Sequence, residues 1–189
     1  MVATIDWGDG KTSNTTGGTS SASITHQYQD GVKQHTVIIK CPTATKIQST
    51  SSALKSIVII HHIPKNITSF SNYAFGTAND DGLNPLEKAD LRGGGFTTNG
   101  ANMFENCRHL WRVLFPNGMT TLANNTFRNC LSLGEIDLPE TLTTIVTSSS
   151  GNPFTMSGLH RLYIPKNVKA SIYPIANGCN YMEQLEVDP

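Results

Sequence analysis

The chain has 189 residues, with fourteen basic and fourteen acidic side chains, so its formal net charge is zero. No Lys/Arg cluster supplies the basic face that nucleic-acid binding requires. Hydrophobic residues make up 38% of the chain and charged residues 15%; the remainder is rich in Ser, Thr, Asn and Gly, which favours turns and short strands over helices. The longest wholly apolar stretch considered, Ile57 to Ile60, falls far short of a bilayer span, so membrane insertion is not expected.

At the N-terminus, Met1-Val2-Ala3 runs into a polar, Gly-rich stretch without the charged and apolar regions of a signal peptide. Thr4 to Trp7 reads as a strand broken by the turn residues Gly8-Asp9-Gly10. A loop is predicted from Lys11 to Ser23, then strands at Ile24 to Tyr28 and His35 to Cys41, joined through Asp30-Gly31. Pro42 ends the last strand because it cannot donate to a ladder. Asp6 and Asp9 flank glycine as calcium ligands do, yet no third carboxylate is near, and a tight turn capped by Asp6 is the better reading. No metal is expected.

The words Ile5-Asp6-Trp7-Gly8-Asp9-Gly10, then Thr25-His26-Gln27-Tyr28, then Gly31 and Val37-Ile38-Ile39, resemble the second half of the polycystic-kidney-disease (PKD) family of Ig-like β-sandwich domains. The family's first strands have no counterpart, and its aromatic residue after Gly31 is missing. The resemblance implies a partial PKD-like β segment over residues 1–45.

The rest of the chain repeats. Leu54-Lys-Ser-Ile57-Val-Ile59 aligns with Leu86 to Leu91, Leu110 to Phe115, Leu133 to Leu138, Leu159 to Ile164 and Met182 to Val187. Each block is apolar-x-x-apolar-x-apolar, and their starts are 32, 24, 23, 26 and 23 residues apart. Pro follows at Pro116, Pro139 and Pro165. A second landmark precedes the next block: Phe104-Glu-Asn-Cys107, Phe127-Arg-Asn-Cys130 and, at the same offset, Cys179. The last two apolar positions alternate as in a half-buried strand too short to bury its own face. Stacked coils make internal ladders of these positions, and the chain becomes a solenoid. One parallel sheet is predicted, with strands at 56–59, 88–91, 112–115, 135–138, 161–164 and 184–187. Insertions fall at Asn79-Asp80-Asp81-Gly82 and at Ser148 to Asn152.

These blocks resemble the BspA-like, or Treponema pallidum-type, bacterial surface leucine-rich repeat, whose pattern is L-x-x-I-x-I-P, T-x-I and F-x-x-C. Leu133 to Pro139, Thr144-Ile145 and Phe127 to Cys130 carry it. The resemblance implies an extracellular or cell-surface location and attachment to a host or microbial protein or glycan, without catalysis. The fold expected is an α/β-class leucine-rich-repeat solenoid of short parallel strands and loops with little helix. About six coils would span residues 46–189.

No catalytic set emerges from residue order. His61 and His62 would point to opposite faces of a strand, and Gly93-Gly94-Gly95 lacks the strand-Gly-Lys context of a phosphate loop. The cysteines form no zinc spacing; Cys107, Cys130 and Cys179 read as inward, unbonded ladder residues. No cofactor is implied. Outward columns of the sheet carry Trp111, Arg112, Leu114, His160, Arg161 and Tyr163, the candidate binding residues. Arg112, Glu135 and Arg161 also suit cross-strand charge pairing. Glu183, Glu186, Asp188 and Pro189 discourage pairing at the last edge, so a monomer is expected. Two other roles fit the same features: a structural spacer or phage tail-fibre-type element, and a carbohydrate-recognition accessory domain of an enzyme.

Overall fold

The computed structural model describes residues 3–15, 26–31, 35–48, 57–79, 82, 84–149, 151–168, 175, 178 and 179, and the backbone of 184–187. Several residues named above lie outside the described residues: Ile24, Thr25, Leu54 to Ser56, Asp80, Asp81, Met182, Glu183, Asp188 and Pro189. The chain divides into two compact units, Met1–Ala44 and Thr45–Pro189.

In the first unit, β1 (Thr4–Asp6) lies between β2 (Thr12–Asn14) and β3 (Ile38–Lys40), antiparallel to both. β2 corrects the loop expected from Lys11 to Ser23. Its polar Thr-Ser-Asn sequence carries little strand signal, but the turn at Gly8 and Gly10, both at positive φ, folds it back onto β1. Ser13 then accepts a 2.9 Å hydrogen bond from the Trp7 indole. A second correction falls at His26 to Tyr28, which form no strand. Their rings pack instead: Trp7 stacks on His26 at 4.8 Å, His26 meets the edge of Tyr28 at 4.8 Å, and Tyr28 stacks on His35 at 3.8 Å. The predicted turn cap is present, with Asp6 accepting from the Gly8 N–H at 3.0 Å.

The second unit is a β-solenoid of stacked parallel strands. One face carries β5 (Ile59–Ile60), β7 (Lys88–Asp90), β8 (Arg112–Leu114), β10 (Glu135–Asp137), β12 (Arg161–Ile164) and β13 (Gln184–Val187). The return path carries two-residue strands, β4 (Lys46–Ile47), β6 (Ser69–Phe70), β9 (Thr121–Leu122) and β11 (Thr144–Ile145). β4 pairs with β6, and β9 with β11, both in parallel. Thr98 bridges to Thr121 in the same sense. Pro64, Pro116, Pro139 and Pro165 each open the turn between the two faces, their carbonyls accepting from the N–H three residues on.

The strand face departs from expectation in two ways. Its strands form two three-stranded sheets, β5-β7-β8 and β10-β12-β13, rather than one. Apolar periodicity specifies which side chains face inward, and Val113 and Ile136 do so on either side of the break. It carries no information on whether neighbouring backbones close to hydrogen-bonding distance. The first strand is also shifted by three residues, since Ile60, not Ile57, pairs with Ala89. Four consecutive apolar residues fit the repeat in several registers, and period alone cannot choose among them.

The interior is a set of ladders. Leu86, Leu110, Leu133 and Leu159 are fully buried, as are Phe104, Phe127 and Phe154. Phe75, Phe104, Phe127 and Phe154 stack ring on ring, with centroids 5.6, 5.6 and 5.8 Å apart and planes within 20° of parallel. Each cysteine of the second landmark reaches back one coil. Cys107 donates to the Phe75 carbonyl at 3.5 Å, Cys130 to Phe104 at 3.2 Å and Cys179 to Phe154 at 3.4 Å. All four cysteines are free thiols, and these three are buried. Burial pushes the Cys107 and Cys130 thiols far up and that of Cys179 to about 11.

Replacing Ile136, a buried residue of a central coil, by Ala should cost about 2–4 kcal/mol. Chemical denaturation measures this, and an unchanged midpoint would place Ile136 on the solvent side. In a thiol titration the partly exposed Cys41 should label first, with Cys107, Cys130 and Cys179 labelling only on denaturation. Rapid labelling of Cys130 in the native state would contradict the inward ladder.

Candidate functional site

Over the break between β8 and β10 lies a surface cleft of about 360 Å³. One wall is the β8 strand with the residue before it: Trp111, Arg112 and Leu114. The other is Ser132, Gly134, Glu135 and Asp137, while Val113 and Ile136 reach the cleft from the core side. Backbone alternation decides what faces the gap. Leu114 O accepts from Leu91 on the β7 side, and Gly134 O accepts from His160 and Arg161 on the β12 side. The intervening main-chain groups, those of Val113 on one strand and of Glu135 and Asp137 on the other, therefore point toward the gap. Elsewhere the same two coils are bonded, through the β9–β11 ladder and the Ser132 N–H to Arg108 O bond at 3.1 Å.

The six predicted residues fall into two groups. Trp111, Arg112 and Leu114 line the cleft itself. Trp111 is 50% exposed, an unusual fraction for the largest apolar side chain on a strand face. His160, Arg161 and Tyr163 stand one coil further, behind the opposite wall. Arg161 lies 3.7 Å from Glu135, an exposed pair of little energetic weight that nonetheless orients the carboxylate. The His160 ring leans over Gly134, so that a Cβ there would sit 2.7 Å from its Cε1. Tyr163 is half-buried beside Asp137. Trp111 and Leu114 are thus separated from Tyr163 by the cleft and by Asp137.

Sequence reasoning passed over Ser132 and Gly134 and treated Glu135 only as a charge partner. Gly134 was the available signal, because the same position in neighbouring coils holds Trp111 and His160. A glycine between two large rings leaves a recess.

Other polar groups are committed elsewhere. Asp90, next to Leu114 in the outward column, is gripped by Arg92 at 2.6 and 3.0 Å; that hydrogen bonding, against some burial, holds its carboxyl below the usual range. Buried Glu105 receives Asn102 and, at 3.4 Å, Arg128. With Asn106 and Asn129 at positive φ and hydrogen-bonded to each other at 2.9 Å, it braces the turns between coils. Asp9 accepts from His26 at 2.8 Å and from the Lys11 N–H at 3.1 Å. Burial opposes its ionisation, but these contacts and the nearby positive charges lower its pKa overall. Among the described residues, no three His, Cys, Asp or Glu side chains converge as metal ligands, and no helix is long and apolar enough to cross a membrane.

Short parallel strands stacked on ladders of Leu, Ile, Phe and Cys define a leucine-rich-repeat solenoid. The profile of the BspA type leucine rich repeat region matches residues 45–183 in six copies. The chain belongs to that family. No curated protein sequence matches it significantly. Among solved structures it is similar to a leucine rich cell surface protein from Faecalibacterium prausnitzii (TM-score 0.58, 24% identity), covering 69% of this chain and 32% of that one. It is similar also to the T. pallidum leucine rich repeat protein (TM-score 0.55, 20% identity, 77% and 76% covered). A third is a leucine-rich repeat protein from Bacteroides ovatus (TM-score 0.54, 18% identity, 88% and 40% covered). The chain therefore spans about a third of the first of these proteins and three quarters of the second.

The chain has two tryptophans, so Trp7→Phe isolates the Trp111 signal. Its emission should be red-shifted and readily quenched by iodide, as a half-exposed indole requires. Blue-shifted, protected emission would mean that the cleft rim is covered.

Proposed function

We propose that this chain is a non-catalytic binding module of a bacterial surface protein, and that it holds a protein or glycan partner on the strand face at the β8–β10 cleft. The observation that carries this reading is a half-exposed indole at the rim of the single interruption among the described strands of that face. An exposed Trp beside a recess is the kind of group that dominates interface energetics, because it buries a large area at small conformational cost. Arg112, Glu135 and Asp137 supply the polar surround. The surface location draws support from the description of the F. prausnitzii protein as a cell surface protein. Adhesion to host or microbial material follows from such a location and such a face.

The test is a screen against host matrix proteins, mucins and glycans, comparing wild type with the double variant Trp111→Ala, Tyr163→Ala. The double variant should bind more weakly by about 2 kcal/mol or more. Its stability should change little, since exposed side chains away from caps and cores seldom contribute to folding. Equal binding by both proteins would move the site off this face. No binding by either would favour the spacer role.

A further inference from the structure

We propose that the β8–β10 cleft is a saccharide subsite, in which one pyranose ring rests its C–H face on the Trp111 indole while its hydroxyls bond to Glu135, Asp137 and Arg112. This rests on the reading of the strand face as a binding surface and names the ligand class.

Size is the first argument. Small-molecule sites run from about 300 to 1,000 Å³, and at about 360 Å³ this one takes a ring or two rather than a helix or a strand. β8 and β10 also belong to adjacent coils still joined by the β9–β11 ladder, so no extended peptide fits between them as an added strand.

The second argument is the chemistry of the walls. A pyranose has apolar C–H faces and a rim of hydroxyls. The cleft offers an aromatic face on one side and charged hydrogen-bonding groups around it. A hydroxyl both donates and accepts, so it can answer both the Arg112 guanidinium and the Glu135 and Asp137 carboxylates. A cationic side chain from a protein partner could serve only the carbonyls and carboxylates.

Charge is the third. Glu135 lies 3.7 Å from Arg161, and Arg112 lines the same cleft as Glu135 and Asp137. The cleft lacks the surplus of negative charge that a Lys or Arg anchor would need, and a neutral ligand suits it. Finally, the recess is held in shape: the His160 ring lies over Gly134 and backs the wall opposite Trp111.

The experiment uses the full chain on an array of oligosaccharides with neutral hexose, N-acetylhexosamine, deoxyhexose and pentose termini. Saturation-transfer NMR with the corresponding free monosaccharides follows. At least one terminus should bind, with transfer strongest to the ring C–H protons of one face. Trp111→Ala should reduce affinity tenfold or more and Trp111→Phe much less, with unaltered melting showing that both variants fold. Glu135→Gln and Asp137→Asn should each weaken binding several-fold. Gly134→Ala should weaken it by displacing the His160 ring. Absence of binding to every terminus would overturn the proposal, as would sugar binding indifferent to Trp111. A protein partner bound through Trp111 and not displaced by any sugar would also overturn it, while leaving the binding-face reading intact.

Discussion

Every feature of the second unit depends on neighbouring coils approaching closely enough for the phenylalanine rings to stack. Phe75, Phe104, Phe127 and Phe154 sit 5.6–5.8 Å apart at small interplanar angles, within the range of offset aromatic pairs. Removing one such ring from water is worth about 1.5–3 kcal/mol, and the column repeats that gain at each coil. The spacing also places each landmark cysteine under the preceding coil. A side chain there must be small, apolar enough for the interior and able to donate to a carbonyl, and a thiol does all three. Where Ser157 replaces Cys after Phe154, the hydroxyl accepts from Leu159 within its own turn instead.

Because each coil touches only its neighbours, a local fault stays local. The missing ladder between β8 and β10 leaves the return-face strands and the ring column undisturbed, and the cleft is confined to one face. That confinement separates the residues that hold the fold from those that meet a ligand. Val113 and Ile136 face the core, while Trp111, Arg112, Glu135 and Asp137 are exposed.

Legibility in the sequence follows the same division. Leu133 to Pro139 and Phe127 to Cys130 could be placed from their letters, because side-chain size and polarity determine which positions go inward. The first coil resisted, since Ile57 to Ile60 satisfy the pattern in more than one register. β2 was hidden because Thr12-Ser13-Asn14 are held by a hairpin rather than by their own preferences. Trp111, Arg112 and Leu114 could be singled out as outward residues. That they edge a cleft could not, because backbone separation is written in no side chain. His160, Arg161 and Tyr163 belong to the next coil: none lines the cleft, and they border it only through the His160 ring over Gly134 and the Arg161–Glu135 pair.

The interruption has a mechanical consequence. Under the display and attachment proposed above the chain would be pulled, and a stack of coils yields where the fewest bonds must shear together. Between β8 and β10 the ladder of the main strand face is absent, leaving the short β9–β11 ribbon, the turn bonds and the stacked core side chains to carry the load. A ligand that spans the gap, bonded to both strands, would act as a rivet and stiffen the solenoid where its strand-face ladder is missing, so occupancy and resistance to force would rise together.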